Sequence, residues 1–583
     1  MVASTHWLAS TCAMSVLERG GNAFDAAVAA GFVLQVVEPH MNGPAGEVPI
    51  VLWSDRDQRV EVVCGQGVAP GAATPRLFAD LGLDIVPGSG LLAATVPGAF
   101  GGWMLLLERW GTWGVRDVLA PAIYHAVHGY PALPLISSEV ARVAGIFRQD
   151  WPTSADTWLV GDRPPPVGSK LRSPGVAATY QRLVAEAEAI GQDRESVIRA
   201  AVDVWYRGFV ADAIDEFCRD TAWTDTSGQP HHGVLDGDDL GSWQASVETP
   251  ATYQFGDFTV CKTGPWGQGP VMLQQLALLD ALDVGSVPYG SADYFHLVIE
   301  AGKLAYADRE AWYGDSGTVP DLVAKLLDPA YTAERSRLVG ATASLELRPG
   351  WIDGRAPTLG VPHTTAVTDQ SHEQGAGEPR FASLRRVQGG DTCHVDVLDR
   401  HGNMVSATPS GGWLQSSPVI PKLGFCLTTR AQMFSLHEGH PNELRPGARP
   451  RTTLTPSLAL RDGKPWMAFG SPGGDGQDQW NLDFFLAVVL GGLDLQAAID
   501  SPAFCSEHFP SSFYPRSASP GRVLFESRLD ASIVEELRRR GHDVELSDPW
   551  SLGCLSAVVQ DGDDGFFRAA ANARGAQGYA VGR

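Results

Sequence analysis

At 583 residues, the chain is long enough to bury a large core and to form more than one domain. Its 44% hydrophobic and 19% charged residues read as globular and exclude disorder. A formal net charge of −23 argues against nucleic acid and anionic membrane surfaces as partners, since both need basic patches, although one local Arg suffices to hold a small anion.

Met1-Val2-Ala3-Ser4-Thr5-His6 has neither a basic n-region nor an apolar h-region, and no run approaches the roughly 18 apolar residues of a membrane helix. The eight cysteines, Cys12, Cys64, Cys218, Cys261, Cys393, Cys426, Cys505 and Cys554, stand singly without a C-x-x-C pair. They read as buried thiols of a reducing compartment, which places the protein in the cytoplasm.

Leu8, Cys12 and Val16 fall four apart and predict a first helix with one apolar stripe, stopped by Gly20-Gly21-Asn22. Ala23 to Val37 is Ala-rich and apolar nearly all round, so it predicts a buried helix ended by Pro39. Arg163-Pro164-Pro165-Pro166 is a loop. Tyr294 to Trp312 predicts another helix, with Leu297, Ile299, Ala301, Leu304 and Ala305 inside. Thr365 to Gly390 is polar and reads as an exposed linker ending in Gly389-Gly390-Asp391.

The pattern then turns to strands. Val395, Val397, Val405 and Ala407 alternate with polar residues around the turn 399–403, a hairpin signature. Ser457–Leu460 and Pro465–Phe469 flank a second turn, followed by Gly470-Ser471-Pro472-Gly473-Gly474 and a helix from Trp480 to Leu490. A late helix covers Ala531 to Arg540. Helices, then hairpins, then helices imply antiparallel sheet covered by helices.

Chemistry has few places to sit. In Asp391-Thr392-Cys393-His394 a hydroxyl residue stands where the linker meets the first strand. A hairpin centred on His401 sets Thr392 opposite Ser410, so two hydroxyls meet at its open end. Cys393, one residue on, should face the core instead. Gly473 and Gly474 lie between a strand and a helix, where bare N–H groups can serve a developing oxyanion. The bland reading of each is a β-former at a strand start and an ordinary turn. No phosphate loop or Gly-x-Ser-x-Gly elbow is present. His231-His232 lacks a third metal ligand and reads as a solvated loop, and Asp236-Gly237-Asp238-Asp239 as a capped helix entry. No metal or cofactor is expected.

These residues resemble the gamma-glutamyltranspeptidase family along nearly the whole chain. Met1-Val2-Ala3-Ser4, Gly20-Gly21-Asn22-Ala23, Asp25-Ala26-Ala27-Val28-Ala29 and Val37-Glu38-Pro39-His40 resemble its amino-terminal signature. Glu300-Ala301, Lys303-Leu304-Ala305, Ala307-Asp308-Arg309 and Gly314-Asp315 resemble its central helix, and Asp391-Thr392-Cys393-His394, Gly402-Asn403, Pro446-Gly447, Arg449-Pro450 and 470–474 its catalytic half. The resemblance implies an α+β fold, an αββα sandwich of two antiparallel sheets between helix layers. It implies self-cleavage of the Asp391–Thr392 bond, giving chains 1–391 and 392–583 that form one intertwined catalytic unit. It also implies Thr392 as nucleophile, Ser410 as its orienting hydroxyl, and Gly473 and Gly474 as the oxyanion hole.

The departures concern the substrate. Gln66 stands where the family has a carboxylate-binding Arg. Gly412 replaces an Asn, Thr428-Thr429-Arg430-Ala431-Gln432-Met433 replaces the amino-binding stretch, and Thr452-Thr453 replaces a Ser pair. Arg430 and Arg451 add cations, so the expected acyl donor lacks the α-ammonium, with a dicarboxylic half-amide as one form; solvated surface arginines are the bland alternative. The expected partners are a small amide and the two cleaved chains, with homo-oligomerisation open. Hydrolysis of a non-γ-glutamyl amide leads. A true γ-glutamyl transferase or glutathione hydrolase is the alternative, and a non-catalytic binding homologue comes last.

Overall fold

Two antiparallel sheets form the centre of the computed structural model, which describes residues 1–360, 392–561, 565–572, 574 and 577–583. The first has seven strands in the order Tyr579–Val581, Val2–Ser4, Val395–Leu398, Met404–Ala407, Val48–Ser54, Arg59–Gly65 and Ser246–Glu248. The second has six, in the order Phe567–Ala571, Ser556–Gln560, Lys464–Gly470, Ser457–Arg461, Phe258–Lys262 and Ala251–Phe255. Each sheet mixes strands from before residue 361 with strands from after residue 391.

Alternation along the strands builds four layers. Ile50 and Leu52 enter the core under one set of helices, while Val51 and Trp53 point to the other sheet. In the second sheet Ala459, Met467 and Phe469 enter the opposite helix-side core, while Leu458 and Ala468 join Val51 and Trp53 between the sheets. The helices Ala23–Val37 and Ala99–Trp110 cover the first sheet, and Pro270–Ala281, Ala292–Trp312 and Gln477–Val489 cover the second. The result is the αββα sandwich that the resemblance implies.

The helix Ala23–Val37 is buried on every side. Asn22 caps it, accepting from the N–H groups of Phe24 and Asp25, while the Asp25 carboxylate accepts from the Asn22 N–H. Its small residues permit close contact, since a Cβ on Gly31 would meet the Trp103 ring at 2.3 Å.

Most expected elements are present within a few residues: Ala292–Trp312, Ser457–Arg461, Lys464–Gly470, Gln477–Val489 and Ala531–Arg539. In the hairpin Val395 pairs with Ala407 and Leu398 with Met404, the register expected of a turn centred on His401. The first helix, Trp7–Glu18, buries Ala9, Ala13 and Val16 fully and Leu8 and Cys12 only partly. It packs on an Ala-rich neighbour, so its closest face is made of small side chains. Leu297 is likewise half-buried. His231 is held by Asp225, with Nδ1 2.8 Å from a carboxylate oxygen, rather than loose in a loop. Asp236 caps Gly237–Ser242 as expected. The linker 365–390 and Asp391 lie outside the described residues. None of the eight cysteines forms a disulfide among the described residues, and no described helix is long and apolar enough to cross a membrane.

Candidate active site

The strand Val395–Leu398 is extended backwards by an isolated bridge between Thr392 and Ser410, and the Cys393 N–H donates to the Pro409 carbonyl at 2.9 Å. Thr392 and Ser410 therefore sit opposite each other on one face, and the Thr392 hydroxyl donates to the Ser410 oxygen at 3.3 Å. Both are buried. On the same face His394 bridges Thr408 and Asp396, each at 2.9 Å, and Asp396 accepts from the Ser556 hydroxyl of the second sheet at 2.7 Å.

The second sheet meets this face at Gly470, where a Cβ would lie 2.2 Å from the His394 ring. The chain then turns through Gly473 (φ +118°) and Gly474 (φ +50°), both in the left-handed region that favours glycine. A Cβ on Gly473 would meet the Trp480 ring at 2.2 Å. Neither glycine's N–H has an acceptor among the described residues. The turn is held from behind: Gln268 donates to the Gly474 carbonyl at 3.3 Å and accepts from Arg309 at 2.9 Å, and Arg309 also pairs with Asp475. Asp478, in the first turn of the following helix, forms an ion pair at 2.9 Å with Lys262 at the end of the strand Phe258–Lys262, and both are fully buried. Burial pushes the Asp478 carboxyl up to about 6 and the Lys262 ammonium down.

Ser410 has a second neighbour. The Arg430 guanidinium donates to its oxygen at 2.9 Å and pairs with Glu47, which also accepts from Thr428 at 2.9 Å. Arg430 lies against Trp413 and Phe513, its guanidinium carbon 5.0 and 5.8 Å from the ring centres. Arg451 donates to Glu310 at 2.7 Å and to the Arg309 carbonyl at 2.9 Å. Both arginines are fully buried, so they are not surface residues, and each already holds a carboxylate.

The remaining specificity positions divide. Gln432 is spent on the chain, donating to the Gly88 carbonyl at 3.2 Å and accepting from the Tyr514 N–H at 3.2 Å. The Thr452 hydroxyl accepts from the Leu454 N–H at 3.3 Å, and the Thr452 carbonyl from the Gln268 N–H at 2.9 Å. Among the described residues the buried Gln66 side-chain oxygen has no partner, and neither has the buried Thr453 hydroxyl. Cys393 points the other way, as expected, into the helix-side core, where its thiol lies 3.0 Å from Glu38.

Sequence reasoning missed Glu47, Trp413, Phe513 and Gln268. Glu47 left one signal, a lone charge at the mouth of a strand whose seven residues are all buried.

The sequence profile of gamma-glutamyltranspeptidase matches residues 9–582. The glutathione hydrolase proenzyme of Bacillus subtilis (strain 168) is 27% identical, over 98% of this chain and 89% of its own length. The oxamate amidohydrolase proenzyme of Klebsiella pneumoniae is 29% identical, over 96% and 94%. Among solved structures, LmbA2991HD superposes with a TM-score of 0.92 at 55% identity, covering 100% of this chain and 98% of that one. An unbroken family match, hydrolase proenzymes as relatives and two sheets meeting at a hydroxyl pair converge on one assignment: the chain belongs to the gamma-glutamyltranspeptidase family and is an N-terminal-nucleophile amidohydrolase or transferase.

Proposed function

We propose that the protein cleaves itself between Asp391 and Thr392 and then hydrolyses a small amide through an acyl-enzyme on Thr392. The observation that carries this is the 3.3 Å contact between the Thr392 and Ser410 hydroxyls at the start of a strand. In the precursor the Thr392 hydroxyl adds to the Asp391 carbonyl, the amide bond breaks to an ester, and water hydrolyses the ester. Thr392 is left with a free α-amine, whose reference pKa of roughly 7.7–8.0 suits it to take the proton of its own hydroxyl at neutral pH. The Thr392 oxygen then attacks the substrate carbonyl. The N–H groups of Gly473 and Gly474 receive the oxyanion, the amine leaves with a proton, and water releases the acid. Chains 1–391 and 392–583 stay together because each supplies strands to both sheets. The proenzyme names of the relatives support the cleavage step.

For the substrate we infer an acyl donor without an α-ammonium group. Gln66 and Gln432 are neutral, and Glu47 is committed to Arg430 and Thr428. Among the described residues at these positions an ammonium would therefore meet no uncommitted carboxylate, and hydrogen bonds to charged groups contribute roughly 1.5–3 kcal/mol each. Amino-terminal sequencing of the small fragment tests the cleavage, and a first residue other than Thr392 would refute it. A glutaryl anilide should give a higher kcat/KM than the γ-glutamyl anilide, which differs only by the amine. The reverse order would restore a true γ-glutamyl hydrolase or transferase.

A further inference from the structure

Glu47 and Arg430 form a fully buried ion pair at the hydroxyl pair. Burying two charges is weak ground for stability, because lost hydration opposes their attraction. The pair instead grips Ser410 from two directions. Along the backbone, the Glu47 N–H donates to the Ser410 carbonyl at 2.8 Å and the Ser410 N–H to the Glu47 carbonyl at 3.0 Å. Through the side chains, Glu47 orients the guanidinium, which donates to the Ser410 oxygen at 2.9 Å. The next residue must be glycine for this to fit. A Cβ on Gly411 (φ +77°) would lie 2.5 and 2.6 Å from the Glu47 carboxylate oxygens.

We propose that Glu47 and Arg430 are positioning residues that orient the Ser410 hydroxyl and set the pH at which Thr392 becomes reactive; this rests on the reading of Thr392 as an N-terminal nucleophile. The Thr392 hydroxyl donates to Ser410 at rest, and with Arg430 also donating to the Ser410 oxygen, the Ser410 hydroxyl is oriented so that it can turn its hydrogen to the Thr392 oxygen once that oxygen has given up its own proton. The rings of Trp413 and Phe513 cover the guanidinium, so its charge is poorly screened. Glu47 cancels most of that charge at the Thr392 amine. Among the described residues, the other charged or titratable groups flanking the site are the Cys393 thiol with Glu38 behind it, His394 and Asp396 along the strand, and Lys262, Asp478, Arg309 and Asp475 behind the glycine turn. Substituting Glu47 or Arg430 leaves all of these groups in place.

The experiment is the pH dependence of kcat/KM on the best amide found. Glu47→Gln keeps the shape and can still accept from Thr428, but leaves the guanidinium unbalanced. An ammonium beside an uncompensated cation loses its proton more readily, so the acidic limb should move down by on the order of one pH unit. The double variant Glu47→Gln/Arg430→Gln removes both charges. Its limb should return to the wild-type position, while kcat stays about tenfold low because Ser410 has lost its donor. Arg430→Lys keeps the charge balance and loses the fork, so kcat should fall with the limb unmoved. A purely structural pair would lower kcat or yield and leave every limb in place. An unmoved or raised limb in Glu47→Gln, or a shifted limb in Arg430→Lys, overturns the proposal. Thr392→Ala, run in parallel, separates the two readings: if it still turns over, the nucleophile assignment fails; if it is inactive and the limbs do not move, only the role of the pair fails.

Discussion

The segment that begins at Thr392 has two faces with opposite surroundings. Towards the second sheet, Thr392, His394 and Asp396 each meet a hydroxyl, on Ser410, Thr408 and Ser556. Towards the helices, Cys393, Val395 and Val397 enter an apolar core, with the Glu38 carboxyl lying behind Cys393. Strand alternation alone separates the two sets. The polar groups are thereby kept on the side that reaches the glycine turn, and the apolar face fixes the strand in register. Changes on the first face should alter rate with little effect on folding, and changes on the second should alter stability with little effect on rate.

The largest effect belongs to Thr392→Ala. It should fold, remain a single chain and lose activity by at least roughly a thousandfold, because in the proposed mechanism the hydroxyl serves both maturation and acylation. Denaturing electrophoresis and an amide-release assay check both. Gly473→Ala comes next. It forces a side chain into φ +118° and against Trp480, which re-aims the N–H groups, and kcat should fall roughly a hundredfold. Unchanged kcat would mean that the turn does not carry the oxyanion. Ser410→Ala should cost roughly ten- to a hundredfold in kcat with KM little changed, and retention of full kcat would reassign Ser410 to strand packing.

The first face was legible in the sequence because its parts are local. A hydroxyl at a strand start, a turn centred on His401 and two adjacent glycines are patterns of a few residues, and pairing arithmetic put Thr392 opposite Ser410. The surroundings of the acyl group were not legible. Arg430 stood out as a cation, but its partner lies 383 residues away, and no periodicity links Glu47 to it. For Arg451 the sequence left a cation at the acyl site and a surface residue both open, since Glu310 lies 141 residues off. The helical layer between residues 115 and 220 was passed over as well, because its amphipathic patterns specify helices without saying which sheet they cover.

The smallest effect sharpens the comparison from the second face. Glu38 is buried, accepting from the Thr5 hydroxyl at 2.7 Å, from the Cys393 thiol at 3.0 Å and from the Gln577 amide at 2.6 Å. Burial pushes its carboxyl up to about 7, and these three donors only partly oppose that. The folded protein therefore keeps a proton that the unfolded chain gives up near the reference carboxyl value of about 4.3. That stabilisation is complete below the unfolded value and is lost as pH rises through about 7. Glu38→Gln cannot ionise, so the decline of the thermal midpoint between pH 5 and 8 should flatten in the variant. Its kcat should stay within about twofold of wild type, since Cys393 faces away from Thr392. An unchanged slope would show that Glu38 does not titrate between the folded and unfolded states. A larger fall in kcat would show that the carboxyl acts on Thr392 through Cys393, and the division of labour between the two faces would fail at the residue that joins them.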